Sequence, residues 1–322
     1  MRKLGCFGLL VALALVAGAF VALQFWAGPG PLKRNTTVEI ASGSSLSSAA
    51  TQLEKVGAIR SADQFKLFAK VFSSGAPIKA GEYRLPAYLS QSDILKLLQG
   101  GKTLQRFVTI PEGWPAVMVA EAINKAQGLE GRVDPPIEGT VLPDSYSFQR
   151  GDKRSFMLAR MQRAMVKYLA AAWEKRKPGI AVSTPREALI LASIVEKETG
   201  KPSERRTVAA VYSNRLKRGM MLQADPTTIY PITKGRPLGR RILRSELQAD
   251  NGYNTYAKTG LPIGPIANPG RASIDAVLDP AQSNALYFVA DGTGGHVFAD
   301  TLEQHNANVQ KWYAIRRARG EM

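Results

Sequence analysis

Leu4 to Trp26 is a run of 23 residues without a charge, preceded by Arg2 and Lys3, and no other segment restricts the chain so severely. At about 1.5 Å per helical residue it is long enough to cross roughly 30 Å of hydrocarbon. The sequence therefore predicts one transmembrane helix over 4–26, with residues 1–3 as a cytoplasmic tail. A cleaved signal peptide is the competing reading. Signal cores run to about 7–15 apolar residues and end at a small-residue cleavage site; this run is longer and no clean site follows it. Lys33 and Arg34 beyond the run blur the charge asymmetry that orients membrane helices. A three-residue tail is nevertheless a poor candidate for translocation, so the bulk of the chain is expected outside the cytoplasm. Cys6 is expected to be a free thiol within the membrane.

The 322 residues suffice for about two domains. Lys plus Arg number 43 against 26 Asp plus Glu, a net charge of +17 that favours polyanionic partners. Neither zinc-ligand spacing nor an aromatic-interleaved basic strand pair is present, so no nucleic-acid partner is expected. Cys6, His296 and His305 are the only residues of their types, which excludes a Cys/His metal site or a disulfide framework by count. There is no Gly-rich phosphate loop before a helix and no Ser-His-Asp constellation. His296, in "GGHVF", reads as a turn or packing residue.

The Pro/Gly-rich segment 27–37 reads as a linker. From Val38 to about residue 105 the pattern is that of a small α+β module. "TVEIA" alternates as a strand, and Leu46, Ala49, Ala50, Leu53 and Val56 recur at helical spacing up to Gly57. Ser61 and Gln64 mark a second helix start through Phe65, Phe68 and Phe72. "AGEYRL" is a strand, and "SQSDILKLLQGG" a third helix. Residues 106–322 form the second part. "EGTVLPDSYSF" reads as a turn-rich loop, helices are predicted from about Ser155 to Arg176 and from Ser203 to Leu216, and the region after Leu222 is rich in Pro, Gly and Asn. A short helix near Ser273–Leu278, a strand "ALYFVADG", a turn "GTGGHVF" and a basic-ended helix from about Leu302 close the chain.

"LASIVEKETG", residues 191–200, carries the chemistry-bearing signal. Thr184 as N-cap, Pro185 at the first helical position and Glu187 at the third start a helix that Gly200 ends. Its residues 188–195 are almost wholly apolar, then Glu196, Lys197 and Glu198 follow. On a 100° wheel Glu198 continues the face of Leu191 and Ile194, and Lys197 falls in the polar stripe of Arg186 and Ser193. A carboxylate at a helix C-terminus meets the negative end of the macrodipole, and burial also disfavours the charged form. Both effects raise a carboxyl toward general-acid use. The alternative is an ordinary solvated last turn. The wheel separates Glu198 from Glu196 only weakly, and both stay open on this ground. The Asn-, Tyr-, Gln- and Gly-rich loops downstream suit a groove facing sugar hydroxyls, although each such residue alone is a turn former first.

"ASIVEKETG", "SERRTVAAVYSNRLKRGMMLQADPTTIY", "YNTYAKTGLPIGPIANPG" and "LYFVADGTGGHVF" closely resemble the endolytic murein transglycosylases, the MltG or YceG-like family. The likeness spans nearly the whole chain. It implies an α+β architecture: the anchor, a LysM-like module at 38–105, and a mixed α/β catalytic domain with long loops at 106–322. The family's acid is the second Glu of E-K-E, which is Glu198 here. Its cleft motifs coincide with Glu138, Asp144, Gln223, Asp225, Tyr253, Asn254, Tyr256 and Asn268 as substrate-binding residues. Ile263 stands where proline is common and Ser145 where threonine is. The resemblance implies a cofactor-free lyase that cuts the MurNAc–GlcNAc bond within peptidoglycan strands, leaves 1,6-anhydroMurNAc ends and terminates nascent strand elongation. Peptidoglycan and peptidoglycan synthases are the implied partners, at the inner membrane with the catalytic domain on the extracytoplasmic side. A non-catalytic glycan-binding scaffold and a hydrolase using Asp225 or Asp144 as second carboxylate remain the alternatives.

Overall fold

The structure is a computed structural model that describes the backbone of residues 2–73 and 75–321, with side chains from residue 11 onward. Cys6 and the first part of the uncharged run thus lie outside the described side chains. The chain divides into two compact units, residues 1–106 with 147–150, and residues 107–146 with 151–322.

In the first unit, α1 (Arg2–Ala27) leads to β1 (Thr36–Ile40), α2 (Leu46–Lys55), α3 (Ala62–Phe72), β2 (Gly81–Leu85) and α4 (Gln91–Gly100). β1 and β2 pair antiparallel, from Thr36 opposite Leu85 to Ile40 opposite Gly81. The alternation that predicts the strand is observed, since Val38 and Ile40 are buried and Thr37 and Glu39 exposed. Ser45, Ser61 and Ser90 each cap a helix by accepting the third backbone N–H. The helices cover the ribbon with Leu53, Phe65, Ile94 and Leu98. Among the described residues no helix is long and apolar enough to cross a membrane. The segment 27–37 is held in place rather than loose. Leu32 is buried with Trp26, the Gly30 N–H donates to Tyr88 O, the Tyr88 N–H to Leu32 O, and the Ala87 N–H to Asn35 Oδ1.

The second unit contains most of β3 (Arg106–Ile110), which pairs with β4 (Asp144–Phe148), and then α5 (Ala116–Lys125), α6 (Arg154–Glu174) and α7 (Pro185–Glu198). A short 3-10 turn leads to α8 (Arg205–Lys217), α9 (Asp225–Thr233), α10 (Arg244–Gln248), α11 (Arg271–Leu278), the antiparallel hairpin β5 (Tyr287–Ala290) and β6 (His296–Ala299), and α12 (Leu302–Ala318). α7 is the centre. A helix apolar on all sides must be surrounded, and residues 188–195 are all buried, with α6, α8, α9 and α11 packed on them. Thr184 Oγ1 accepts the Glu187 N–H as the sequence predicts, but Glu187 Oε2 accepts the Ser183 N–H, one residue before the cap. Ser193, placed on the polar stripe by the wheel, is buried instead. Its hydroxyl donates to Ile190 O and accepts from the Ile266 N–H, so a loop covers that side.

Three helices and two strands depart from the sequence reading. α9 and α10 occupy the stretch read as Pro-, Gly- and Asn-rich, and α5 occupies one to which the sequence reading assigns no element. Pro226 is in the first turn of α9, although Pro231 lies within it. β4 and β6 occupy segments read as turns. Among the described residues there are three two-stranded sheets, and the architecture is α+β.

Candidate active site

α7 ends on Glu198 because Thr199 is extended, with φ −137 and ψ 128. Gly200, which the sequence suggests as the stop, lies one residue later. α8 packs beside α7 and presents Tyr212 and Arg215 from one face. Arg215 is 8% exposed. Its Nε donates to Leu286 O and its Nη1 to Leu222 O, both at 2.7 Å, while the Tyr287 ring lies 5.3 Å from the guanidinium carbon. The guanidinium is thereby locked. Tyr212 is held edge-on to Phe288, at 5.9 Å between centroids.

Glu198 as a residue keeps partial access, but its Oε1 is buried with no hydrogen-bond partner among the described residues. Burial pushes the carboxyl up to about 7; the Tyr212 hydroxyl and Arg215 oppose the rise, and the Asp225 charge adds to it. Burial, with the Glu198 charge adding to it, also lifts the Tyr212 phenol well above its ordinary range. Tyr212 therefore remains a donor beside a carboxyl that is protonated near neutrality.

Glu196, two residues earlier, is fully engaged. Its Oε2 accepts from the Gly270 N–H (2.9 Å) and from Ser273 Oγ (2.7 Å), and its Oε1 lies 3.9 Å from Arg205 Nη2. Gly270 is the N-cap of α11 and has no side chain to cap with, so Glu196 caps that helix from outside. It is a strut between helices.

The remaining sequence-predicted residues fall into three places. Asp225, exposed at the start of α9, accepts from Tyr256 Oη at 2.6 Å, and Tyr256 responds electrostatically to both Asp225 and Glu198. Gln223 is beside them with φ 52, a left-handed conformation unusual outside glycine; its N–H donates to Thr255 O, and its side chain is exposed. The second place is built around Glu138. Its Oε1 accepts from the Ala116 N–H (2.9 Å) at the start of α5 and from Asn268 Nδ2 (3.2 Å). Burial moves this carboxyl to about 7 against the Ala116 N–H and the Tyr230 hydroxyl. Tyr253 packs on Tyr230 with centroids 4.8 Å apart. Asp144 is in the third place, 2.9 Å from Arg271 Nη2, which holds its carboxyl below the usual range.

Asn254 and Asn268 are frame, not lining. Asn268 is fully buried, donating to Trp114 O and Glu138 and accepting from the Val141 N–H. Asn254 is 2% exposed; it accepts from Thr228 Oγ1 and the Tyr256 N–H, and donates to the carbonyls of Glu246, Leu247 and Ala249. With every polar atom occupied, neither presents a group to a ligand. Tyr212, Arg215 and Tyr230 were not picked out by sequence reasoning. The available signal was Arg215, a lone cation following Val208 and Tyr212 on the apolar face of α8. His296 donates or accepts at Nδ1 with Glu204 Oε2 (2.8 Å) and packs edge-on against Phe288, a packing role.

The model of the YceG-like family matches residues 38–311. A protein named endolytic murein transglycosylase from Bacillus subtilis (strain 168) is 30% identical over 94% of this chain and 92% of its own length. A protein of the same name from Streptococcus pneumoniae (strain D39) is 30% identical over 86% of this chain, which spans 58% of that longer protein. The crystal structure of a YceG-like protein from Listeria monocytogenes superposes with a TM-score of 0.55 at 30% identity, covering 85% of this chain and 99% of that one.

Proposed function

This chain belongs to the YceG-like family, and from that premise we propose that it is an endolytic lytic transglycosylase of murein, cutting the MurNAc–GlcNAc β-1,4 bond with Glu198 as its one catalytic acid–base. The observation that carries the reading is the Glu198 carboxyl: last residue of a buried helix, Oε1 unpartnered, and moved to about 7. A carboxyl that keeps its proton near neutrality can deliver it to a leaving oxygen.

Ordinary glycosidases divide acid and nucleophile or base between two carboxyls. Of the two candidate second carboxylates, Asp144 is paired with Arg271 and Asp225 accepts from the Tyr256 hydroxyl, so each already has a partner. In the proposed reaction the Glu198 O–H gives its proton to the glycosidic oxygen as the C1–O bond of MurNAc breaks. The C6 hydroxyl oxygen of the same sugar then bonds to C1, and its proton returns to the Glu198 carboxylate. The nucleophile belongs to the substrate, so its high effective concentration replaces activated water. Gln223, Asp225, Tyr253 and Tyr256 offer amide, carboxylate and ring surface to the glycan, while Asn254 and Asn268 act by holding their loops.

The anchored reading is part of the same proposal. The 23-residue uncharged run supports a single span over 4–26 at the inner membrane, with the catalytic unit outside the cytoplasm. The strand–helix–helix–strand order of 36–85 supports a LysM-like module. Peptidoglycan synthases are the proposed neighbours, and ending of nascent strands the proposed role. Digestion of purified peptidoglycan in oxygen-18 water tests the chemistry. Every new MurNAc end should be a 1,6-anhydro ring without label; labelled reducing ends as the main product would replace the lyase with a hydrolase, and no cleavage would leave a glycan-binding scaffold.

A further inference from the structure

We propose that Arg215 is a positioning residue for the reaction, a cation fixed beside Glu198 that stabilises the carboxylate left behind when the proton leaves; the inference rests on the role of Glu198 proposed above.

A buried acid that keeps its proton near neutrality meets the opposite difficulty once it gives that proton away. The glycosidic oxygen departs with the proton, and a negative charge stays on Glu198 until the C6 hydroxyl proton returns. The burial that favours the neutral acid disfavours this charge. A counter-charge already in place helps most, because it does not have to reorganise as the charge appears.

Arg215 meets that description. It lies three residues after Tyr212 on the same face of α8, and Tyr212 directs its hydroxyl at the Glu198 carboxyl. The bonds from Nε to Leu286 O and from Nη1 to Leu222 O hold the guanidinium from two separate segments. The Tyr287 ring lies against it and is itself stacked on His305 of α12, with centroids 5.2 Å apart. These partners are carbonyl dipoles and a ring, so they fix the side chain but leave its positive charge whole. Among the described residues no carboxylate forms an ion pair with it. A buried cation without a counter-ion is costly to the fold, and Glu198 is a carboxyl on which its charge acts. The pair is incomplete while Glu198 is protonated and is completed by the proton transfer. Stabilisation that arises only as the charge develops lowers the barrier instead of tightening ground-state binding.

The other charged groups near Glu198 are engaged elsewhere or oppose it. On α7 itself, Glu196 is turned to Gly270, Ser273 and Arg205, and Lys197 Nζ is 3.5 Å from Gly113 O. Asp225, at the start of α9, carries the same sign as the Glu198 carboxylate, and the Tyr256 hydroxyl is given to Asp225. Burial and the Arg215 charge hold His305 below its ordinary pKa, so its ring is uncharged near neutral pH.

Cleavage of soluble, uncrosslinked peptidoglycan strands by the full chain, followed across pH, tests the proposal with Arg215→Gln and Arg215→Lys. Arg215→Gln should lower kcat about tenfold or more while KM changes by less than about twofold. It should also move the alkaline limb of kcat/KM upward by about half a pH unit or more, because without the cation the neutral acid is favoured further. A merely structural loss would admit water and move the limb down, toward the ordinary carboxyl range. Arg215→Lys restores the charge and should return the limb to its natural place with most of kcat. An unmoved or lowered limb in a folded Arg215→Gln protein overturns the proposal, as does an Arg215→Lys protein no different from Arg215→Gln. Should neither variant fold, the natural chain carries the test: the Arg215 Nε resonance, followed by nitrogen-15 NMR, should titrate with Glu198 and stop titrating in Glu198→Gln. A response that persists in Glu198→Gln belongs to another group, such as His305, and overturns the proposal as well. An active Glu198→Gln protein sinks the acid assignment itself, whereas an inert one beside a normal Arg215→Gln protein sinks the counter-charge alone.

Discussion

Glu198→Gln removes a titrating proton while leaving the side chain's shape almost unchanged, so it separates chemistry from folding. Burial moves the carboxyl from 4.5 to about 7. Below the lower value the acid is protonated in folded and unfolded chains alike, and its titration costs the fold nothing. As pH rises, the unfolded chain gives up a proton that the folded chain keeps, so stability declines, and the loss is complete above about 7. At about 1.36 kcal/mol per pH unit the full loss is about 3 kcal/mol. Glutamine does not titrate and escapes it. Urea unfolding of both full-length proteins in detergent, at about pH 5 and about pH 9, should show the variant's advantage growing by roughly two to three kcal/mol between the two. Cleavage of glycan strands should be absent at both. An advantage equal at the two pH values would falsify the assignment of a buried, proton-holding carboxyl, whatever the activity.

Removing the neighbouring carboxyl should do the opposite. Glu196→Ala strips the cap from α11 and leaves Arg205 without its partner, costing about 2–4 kcal/mol in thermal or urea unfolding, while Glu196→Gln keeps an acceptor, should cost about 1 kcal/mol, and should still cleave. Loss of cleavage in a folded Glu196→Gln protein would reverse the two roles. Gly139→Ala tests the packing beside Glu138: Gly139 has φ +79, and a Cβ there would stand 2.7 Å from two Pro265 atoms, so roughly 2 kcal/mol or more should be lost. A change within about 0.5 kcal/mol would show that this close approach does not exist.

Local chemistry was legible wherever one residue's role is settled by its neighbours in sequence. The caps at Ser61 and Thr184 follow from hydroxyls placed just before an apolar period. The α5 and α9 helices were not legible, because their N-caps, Pro115 and Ala224, have no side-chain acceptor. Glu138 supplies α5 with its acceptor from a loop 22 residues away. Asn254 and Asn268 are a similar case. Composition suggests that an Asn-rich loop offers amides to sugars, yet these two spend every polar atom inside the protein. Sequence alone cannot say whether an amide turns inward, since that depends on which carbonyls the fold leaves unpaired around it.

The choice between Glu196 and Glu198 follows the same rule. Both lie in the last turn of α7, where the helix dipole disfavours a carboxylate, and both adjoin apolar residues, so neither propensity nor a helical wheel can separate them. The difference comes from chain segments far away. The N-terminus of α11, delivered by Gly270 and Ser273, meets Glu196 with an N–H and a hydroxyl, and Arg205 adds a cation. Those partners occupy both of its oxygens and make it a strut. Glu198 instead meets the Tyr212 hydroxyl, a guanidinium already spent on the Leu222 and Leu286 carbonyls, and the opposing charge of Asp225. Its Oε1 has nothing to accept from among the described residues. One carboxyl is tied into the frame by its partners, and the other, buried with an open oxygen, is left with a proton to transfer.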